Sequence, residues 1–255
     1  MKLFKNLTYG IMNRGAVYLH KTIYYVKLSQ RPKRIILIRH AESTANIDIN
    51  EINKVPYHKI PLSKHGEIQA VEAGLKLKKL IGNQSVKFFI SPFERSKATY
   101  RLISKQMGNS EISVVEEPRI REQEWGNFKK TDKLEEIFKE RREVGKFFYR
   151  FSTGESGADV YDRCSSFFET LFRDINSYDR HRADNIVLLC HGFFMRLFIM
   201  RYFHMTVEEF EKMEHPDNCE MWILELDKNY KYQLITKIKE RHPNEQCEGT
   251  GKCNY

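Results

Sequence analysis

Acidic residues are missing from the first 41 positions of this 255-residue chain. The same stretch contains nine basic residues, and the first carboxylate is Glu42. The whole chain has 43 Lys and Arg against 34 Asp and Glu, so taking away those nine leaves 34 charges of each sign in the remainder. A protein that coats nucleic acid spreads its positive excess over a face or a groove. Here the net charge of +9 belongs to one end, which argues against a chain-wide nucleic-acid-binding surface.

Long apolar runs are also absent. A membrane-spanning helix needs about 18 or more consecutive apolar residues, whereas the longest strongly apolar patch, Phe193 to Met200, is short and contains Arg196. We therefore predict no transmembrane segment. Hydrophobic residues still make up 41% of the chain, which is enough to build a packed core.

Cysteine is too sparse for a disulfide framework. The five cysteines are scattered and odd in number, which favours a reducing compartment. Cys247 and Cys253 lie close together in the polar C-terminal tail, where a pair or a metal site is the alternative to a plain flexible tail. Their spacing matches no zinc pattern, so we favour the plain tail.

Buried strands alternate with amphipathic helices along the chain, which predicts an α/β fold with three layers (α/β/α) and a mostly parallel central sheet. The predicted strands are residues 34–39, 86–91, 111–116 and 186–190, followed by two edge strands at 221–226 and 232–238. The predicted helices are residues 64–81, 94–107, 131–146, 159–179 and 193–203. Ser63 and Gly82 supply a cap and a stop for the first helix, and residues 42–62, with two prolines, are expected to form a loop. We expect one domain over residues 33–240, a basic extension over 1–32 and a polar tail over 241–255.

Polar residues follow four of the predicted strands at their carboxyl ends, the edge of an α/β sheet where ligands bind. Two arginines, two histidines and a carboxylic acid would meet there: Arg39 and His40 after the first strand, Arg95 after the second, Glu122 after the third and His191 after the fourth. Arginine forks match the oxygens of a phosphoryl group, and a neutral imidazole is a competent nucleophile near pH 7. A carboxylic acid can protonate the leaving oxygen and then activate water. Because the side chains supply the positive charge, the chemistry needs no metal and no cofactor.

The motifs resemble those of the histidine phosphatase superfamily, which has the phosphoglycerate mutase-like fold. The resemblance covers about residues 33 to 228, and five motifs occur in family order. These are Arg39-His40-Ala41-Glu42-Ser43 with Asn46, Leu62 to Ala70, Ser91 to Thr99, Arg121-Glu122 through Gly126, and His191-Gly192. The segments 147–151 and 154–163 are similar to a eukaryotic branch of phosphoglycerate mutase-like phosphatases.

The resemblance implies a role for each matched position. His40 would accept the phosphoryl group and Glu122 would donate the proton. Arg39, Arg95 and His191 would hold the phosphoryl oxygens as catalytic residues and, with Asn46 and Gly192, would bind the substrate. Ala41 stands where glycine is commoner, and Glu124 competes with Glu122 for the acid role.

Phosphatase activity is favoured over mutase activity. The cofactor-dependent phosphoglycerate mutases carry a tryptophan-rich stretch after the first motif and a longer segment around the acid, and both are missing here. We therefore predict a phosphoric monoester hydrolase. A mutase-type phosphoryl transfer and a catalytically weak phosphate-binding protein remain the alternatives.

Other polar residues are expected to have structural roles. Seven histidines are assigned to the surface or to structural contacts, with His58 the first exception to consider because it could contact substrate. Arg141, Arg142 and Lys146 are expected on a solvated helix face, Arg163 in a structural ion pair, and the aromatic residues of 147–151 in the core. The Cys190 thiol is expected to be buried and inert.

The expected partner is a phosphorylated small molecule or a phosphoprotein, and nucleic acid is not expected. The oligomeric state stays open. The acid-free leader contains few arginines and little serine, so we favour the cytoplasm over a mitochondrial or other organelle location.

Overall fold

The computed structural model describes residues 26, 28–126, 134–176 and 183–240. Most of the predicted basic extension, the start of the helix predicted from residue 131 and the tail with Cys247 and Cys253 lie outside these residues. Within the described part of the chain, no helix is long and apolar enough to cross a membrane.

A six-stranded sheet forms the centre of the fold, in the order β3-β2-β4-β1-β5-β6. The strands are β1 (Arg34–Arg39), β2 (Val86–Ile90), β3 (Ile112–Glu116), β4 (Asn185–Cys190), β5 (Met221–Leu226) and β6 (Tyr232–Leu234). The first four are mutually parallel, whereas β5 runs antiparallel to β1 and β6 antiparallel to β5. The predicted α/β fold with a mostly parallel sheet is therefore confirmed. The prediction that both C-terminal strands lie at an edge is wrong for β5, because it pairs with β1 on one side and β6 on the other.

Helices cover both faces of the sheet. They are α1 (Thr44–Ile47), α2 (Glu51–Lys54), α3 (Lys64–Ile81), α4 (Glu94–Ser104), α5 (Leu134–Val144), α6 (Gly157–Asn176), α7 (Gly192–Phe203) and α8 (Val207–Lys212). Short 3₁₀ turns occupy Tyr57–Lys59 and Pro118–Ile120. The prediction of an irregular loop over residues 42–62 is thus wrong in part, because the segment contains two short helices and a 3₁₀ turn.

The cap chemistry predicted for α3 is present. The Ser63 side chain accepts a hydrogen bond from the Gly66 backbone N–H at 2.9 Å, which satisfies one of the free donors at the start of the helix. Gly82 ends the helix with a φ of 59°, in the left-handed region that favours glycine.

Alternation along β1 divides the core into two layers. Ile35 and Leu37 face the cluster that includes Phe167 of α6. Ile36 and Ile38 face the opposite cluster, which includes Leu77 of α3. All four β1 side chains are fully buried, so the strand that precedes the first motif is held from both sides.

Candidate active site

Strand register brings the two predicted histidines together. Arg39 at the end of β1 pairs with Cys190 at the end of β4, and the residue after each strand is a histidine. The His40 backbone N–H donates to the Cys190 carbonyl at 3.0 Å. The two imidazole rings meet edge to face with their centres 5.1 Å apart.

The His40 ring presents Nε2 as the nucleophilic atom. Nδ1 lies 2.7 Å from the Ala41 carbonyl oxygen, and since a carbonyl only accepts, Nδ1 carries the proton and Nε2 keeps its lone pair. Arg95 Nε donates to Nε2 at 3.2 Å. Burial, with the nearby charges of Arg95 and Arg39, holds the His40 pKa well below its usual value, so the imidazole is neutral at physiological pH.

The backbone of His40 is held by the loop that precedes β5. Asn218 Nδ2 donates to the His40 carbonyl at 3.0 Å, and the Cys219 N–H donates to the carbonyls of Arg39 and His40 at 3.1 and 3.4 Å. Sequence reasoning missed this loop, because nothing in residues 215–220 matches a pattern of catalytic chemistry.

Both predicted arginines are buried and act on His40 as nearby positive charges. Arg39 is buried, and its Nη1 donates to the Pro216 carbonyl at 2.7 Å. Its Nε is buried and has no hydrogen-bond partner among the described residues, and burial lowers the Arg39 pKa to about 10. Arg95 Nη1 donates to the Tyr57 carbonyl at 3.0 Å, and the guanidinium lies over the rings of Tyr57 and Phe93. Both cations are therefore held rigidly with further N–H donors still available.

His191 and Glu122 complete the cluster. His191 is fully buried, and its Nε2 lies 2.8 Å from the Ser91 hydroxyl oxygen. Its Nδ1 lies 3.8 Å from Glu122 Oε2 and has no hydrogen-bond partner in the described part of the chain. Burial lowers the His191 pKa well below its usual value and raises the Glu122 pKa, so this contact joins a neutral imidazole to a carboxyl group biased towards its acid form.

The geometry separates the two candidate acids. Glu122 is 8% exposed and faces His191, while Glu124 is exposed and pairs with Arg121 at 3.3 Å. Arg163 supports the acid segment by donating to the Glu122 carbonyl at 3.2 Å. The ion pair expected for Arg163 is present with Glu155, at 2.9 Å.

Two further predicted site residues occupy different surroundings. Asn46 is exposed in α1, and its Oδ1 accepts from the Ser43 backbone N–H and hydroxyl at 3.0 and 2.9 Å. Gly192 is buried at the start of α7. A Cβ at Gly192 would lie 1.8 Å from Cε1 of His215, so its missing side chain makes room for that buried ring.

The prediction that Arg141 lies on a solvated helix face is wrong, because Arg141 is 4% exposed. It donates to the buried Gln123 side chain at 2.9 Å. Leu134 and Phe138, four residues apart on α5, are buried on the same helix, and Arg141 follows three residues later. That spacing places all three on one face and was the signal that could have predicted the burial.

The structure confirms some of the other predicted structural roles and contradicts one of them in part. Phe147 and Phe151 are buried as predicted, but Phe148 is 63% exposed, so only part of that aromatic segment joins the core. His58 is exposed, with its ring 6.5 Å from that of Phe93. Cys190 is buried, and burial raises the pKa of its thiol well above the usual value, as expected for an inert residue.

A neutral imidazole near two buried arginines, with a second imidazole and a carboxyl group whose pKa burial raises, is suited to phosphoryl transfer. Within the described residues, no group of three or more His, Cys, Asp or Glu side chains has the arrangement of a metal site. The fold and this side-chain set define the class as a phosphoryl-transfer enzyme of the α/β type.

The chain belongs to the histidine phosphatase superfamily (branch 1), whose family model matches residues 35–237. It is 44% identical over 224 residues to the phosphoglycerate mutase-like protein AT74H of Arabidopsis thaliana, with 82% of this chain and 79% of that protein covered. It is 30% identical to the broad-range acid phosphatase DET1 of Saccharomyces cerevisiae, covering 86% of this chain and 92% of that protein. The predicted family and its eukaryotic branch are thereby confirmed.

Solved structures agree on the fold. A mycobacterial glucosyl-3-phosphoglycerate phosphatase complexed with VO3 superposes with a TM-score of 0.61 at 18% sequence identity, covering 80% of this chain and 98% of that chain. The phosphoserine phosphatase of Entamoeba histolytica gives a TM-score of 0.57 at 21% identity, covering 80% and 95%.

Proposed function

We propose that this protein hydrolyses phosphomonoesters through a phosphohistidine intermediate on His40. The observation that carries the proposal is the protonation pattern of His40. Its Nδ1 proton is committed to the Ala41 carbonyl, and its Nε2 lone pair points to the side where Arg95 donates. A buried neutral nucleophile beside fixed cations is the arrangement that transfer of an anionic phosphoryl group requires.

The first step transfers the phosphoryl group to His40. Nε2 forms the N–P bond as the bond between phosphorus and the leaving oxygen breaks. Arg39, Arg95 and His191 stabilise the negative charge on the phosphoryl oxygens. The Glu122 carboxylic acid gives its proton to the leaving oxygen, so an alcohol departs.

The second step releases phosphate. The Glu122 carboxylate accepts a proton from a water molecule, whose oxygen attacks phosphorus as the N–P bond breaks. Inorganic phosphate leaves, and both His40 and Glu122 return to their starting protonation states. Each turnover therefore consumes one phosphomonoester and one water.

His40→Ala tests the proposal directly. We expect its kcat/KM for p-nitrophenyl phosphate to fall on the order of 10³-fold or more. Wild-type protein given a substrate labelled with radioactive phosphorus and quenched in alkali, where phosphohistidine is stable, should carry the label. His65→Ala, an exposed histidine on α3, is the matched control and should retain wild-type activity. Equal hydrolysis by His40→Ala and wild type would exclude the mechanism.

Mutase activity is distinguished by product. Some relatives of this chain are named as phosphoglycerate mutases, including one from Gloeobacter violaceus at 24% identity. With 3-phosphoglycerate, we expect release of phosphate and no 2-phosphoglycerate. Efficient formation of 2-phosphoglycerate would indicate mutase-type transfer and would contradict the proposed hydrolysis.

For the substrate and the compartment, we favour a phosphorylated small molecule in the cytoplasm. Arg39, His40 and Arg95 are each only 3% exposed, and so deep a site favours a compact phosphomonoester over a phosphoprotein. A phosphatase assay with a panel of metabolites and phosphopeptides tests the first point. Imaging a fluorescent protein fused to residues 1–34 tests the second, because mitochondrial import of that fusion would contradict it.

A further inference from the structure

The acid segment, residues 121–124, is bound by a carboxylate from another part of the chain. That carboxylate belongs to Glu155, which lies just before α6 and has a side chain that is 13% exposed. One of its oxygens accepts from Arg121 Nη2 at 2.7 Å and from Arg163 Nε at 2.9 Å. The other accepts from Arg163 Nη2 and from the Glu124 backbone N–H, both at 3.0 Å. Glu155 therefore joins the acid segment to Arg163 on α6.

Arg163 binds the backbone of the proposed proton donor itself. Its Nη1 donates to the carbonyls of Arg119 and Arg121 at 2.6 and 2.9 Å, and its Nη2 donates to the Glu122 carbonyl at 3.2 Å. With the two bonds to Glu155, these contacts use all five N–H donors of the guanidinium. A planar guanidinium bound to a carboxylate through two parallel bonds has a fixed orientation, so Arg163 holds the backbone up to Glu122.

The main chains of the two segments also lie in direct contact. The Glu155 N–H donates to the Glu124 carbonyl at 2.8 Å, and Gln123 Nε2 donates to the Glu155 carbonyl at 2.9 Å. A Cβ at Gly154 would lie 2.2 Å from the Glu124 carbonyl oxygen, so this close approach requires glycine at position 154. The segment before α6 therefore holds the acid segment on the side that follows Glu122.

These contacts matter because the acid segment has no regular secondary structure. Residues 121–126, which lie within the described part of the chain, form neither a helix nor a strand. The Glu122 carboxylate accepts from the adjacent Gln123 N–H at 3.0 Å, and a bond between neighbouring residues moves with their backbone. The position of the carboxyl group, 3.8 Å from His191 Nδ1, therefore depends on how the backbone of residues 121–124 is held.

We propose that Glu155 and Arg163 are positioning residues that hold the Glu122 carboxyl group within reach of the leaving oxygen. The inference rests on the proposed function, in which Glu122 protonates that oxygen. A proton donor acts over a heavy-atom distance of about 2.6–3.2 Å, and a displacement of about 1 Å can cost around 100-fold. The bonds of the pair lead to the acid segment and to the turn before it, whereas His40 and its two nearby arginines are held by other contacts. Weakening the pair should therefore impair proton transfer more than phosphoryl binding.

Two substrates with different leaving groups test the inference. Glycerol 3-phosphate releases an alcohol, whose oxygen needs a proton, whereas 2,4-dinitrophenyl phosphate releases a phenolate that is stable without one. For Arg163→Met, we expect kcat/KM for glycerol 3-phosphate to fall about 10- to 100-fold. The value for 2,4-dinitrophenyl phosphate should stay near that of wild type, because kcat/KM does not include the later hydrolysis of phosphohistidine. Equal losses on both substrates would assign Arg163 a structural role and overturn the inference.

Two variants control for side effects of the substitution. Arg119→Met is the matched control, because the Arg119 side chain also bonds to α6, at Ser166 and Thr170, and pairs with Glu117 at 2.7 Å. It should lower stability but keep the wild-type ratio of the two kcat/KM values. Arg163→Lys keeps the charge but not the planar fork, so it should lose less activity on glycerol 3-phosphate than Arg163→Met does.

A Glu122→Gln background separates this inference from the proposed function. Because positioning acts through Glu122, Arg163→Met should add little further loss on glycerol 3-phosphate once that acid is gone. A full further loss would overturn the inference. A loss specific to glycerol 3-phosphate in Glu122→Gln but not in Arg163→Met would overturn the inference alone, whereas its absence from Glu122→Gln would contradict the proposed function itself.

Glu155→Gln keeps the inference testable if Arg163→Met fails to fold. The change preserves the size of the side chain but removes the charge that Arg121 and Arg163 bind, which weakens the support of the acid segment. We expect the same selective loss of kcat/KM on glycerol 3-phosphate. Wild-type activity, or equally reduced activity, on both substrates would overturn the inference.

Discussion

Gly192→Ala is expected to damage both the stability and the phosphate site through one buried contact. The new Cβ would lie 1.8 Å from His215 Cε1, 2.4 Å from Nδ1 and 2.6 Å from Nε2. Carbon atoms in contact need about 3.5 Å, so the His215 ring must retreat by roughly 1.7 Å. The ring is buried and contacts Gly192 directly, which leaves little room for that movement.

Two costs contribute to the expected loss. Forcing a methyl group into a packed site costs about 1–3 kcal/mol. Moving the ring also weakens the bond from His215 Nδ1 to the Pro216 carbonyl, now 3.2 Å, which is worth about 1 kcal/mol. We therefore expect the free energy of unfolding to fall by about 2–4 kcal/mol.

Activity should fall for a related reason. The same Pro216 carbonyl accepts the 2.7 Å bond from Arg39 Nη1, so a shift of Pro216 would move a cation that we propose holds the phosphoryl oxygens. A displacement of about 1 Å near a reacting group can cost around 100-fold. We expect kcat/KM for p-nitrophenyl phosphate to drop on the order of 10- to 100-fold.

A double-mutant cycle identifies the contact. Urea unfolding and kcat/KM would be measured for Gly192→Ala, His215→Ala and the double variant. Removing the ring removes the clash, so the double variant should be more stable than Gly192→Ala alone. Additive losses, or a Gly192→Ala protein within about 0.5 kcal/mol of wild type, would refute the reasoning.

Further predictions concern the acid and its support. Glu122→Gln should lower kcat about 100-fold or more for alkyl phosphates, which need a proton donor, and less for p-nitrophenyl phosphate. Because burial raises the Glu122 pKa, wild-type activity should fall as pH rises through that pKa. The pH–rate profile of Glu122→Gln should lack this fall in activity. The raised pKa also means that the ionised Glu122 carboxylate destabilises the folded protein at pH values above that pKa. Glu122→Gln should therefore unfold at a higher urea concentration than wild type at alkaline pH. Arg163→Met, which breaks the mostly buried pair with Glu155 and three bonds to backbone carbonyls, should cost about 2–4 kcal/mol in urea unfolding. Arg150→Met, which breaks an exposed pair with Asp159, should cost under about 1 kcal/mol, and similar losses for the two variants would contradict this account.

The parallel strands and the gathering of the candidate catalytic residues were predictable because both depend on short, local patterns. A run such as residues 35–38 is apolar on both faces, which predicts a strand covered by helices on both sides. Parallel strands then place the residues after them at one edge, where His40 and His191 meet. The short helices α1, α2 and α8 were not predicted, because four to six residues are too few to display a helical period.

Residues contributed from distant loops were not predictable in the same way. The Pro216 carbonyl and the Asn218 amide orient Arg39 and His40 across a sequence separation of 177 and 178 residues. A backbone carbonyl has no side-chain identity that a pattern could reveal. Arginine is usually found on the surface. Arg141 is buried because its face of α5 packs against Phe151 and Phe193.

The sequence by itself determined the α/β fold, the family and the chemical types gathered at the strand ends, because hydrophobic periodicity and motif spacing are properties of neighbouring residues. Only the tertiary structure decided which side chains are protonated and which of two similar side chains lies in the site. Burial makes His40 and His191 neutral and biases Glu122 towards its acid form, while exposure leaves Glu124 outside the cluster. The physical reason is that a pKa depends on solvent access and nearby charge, and both are properties of the folded arrangement.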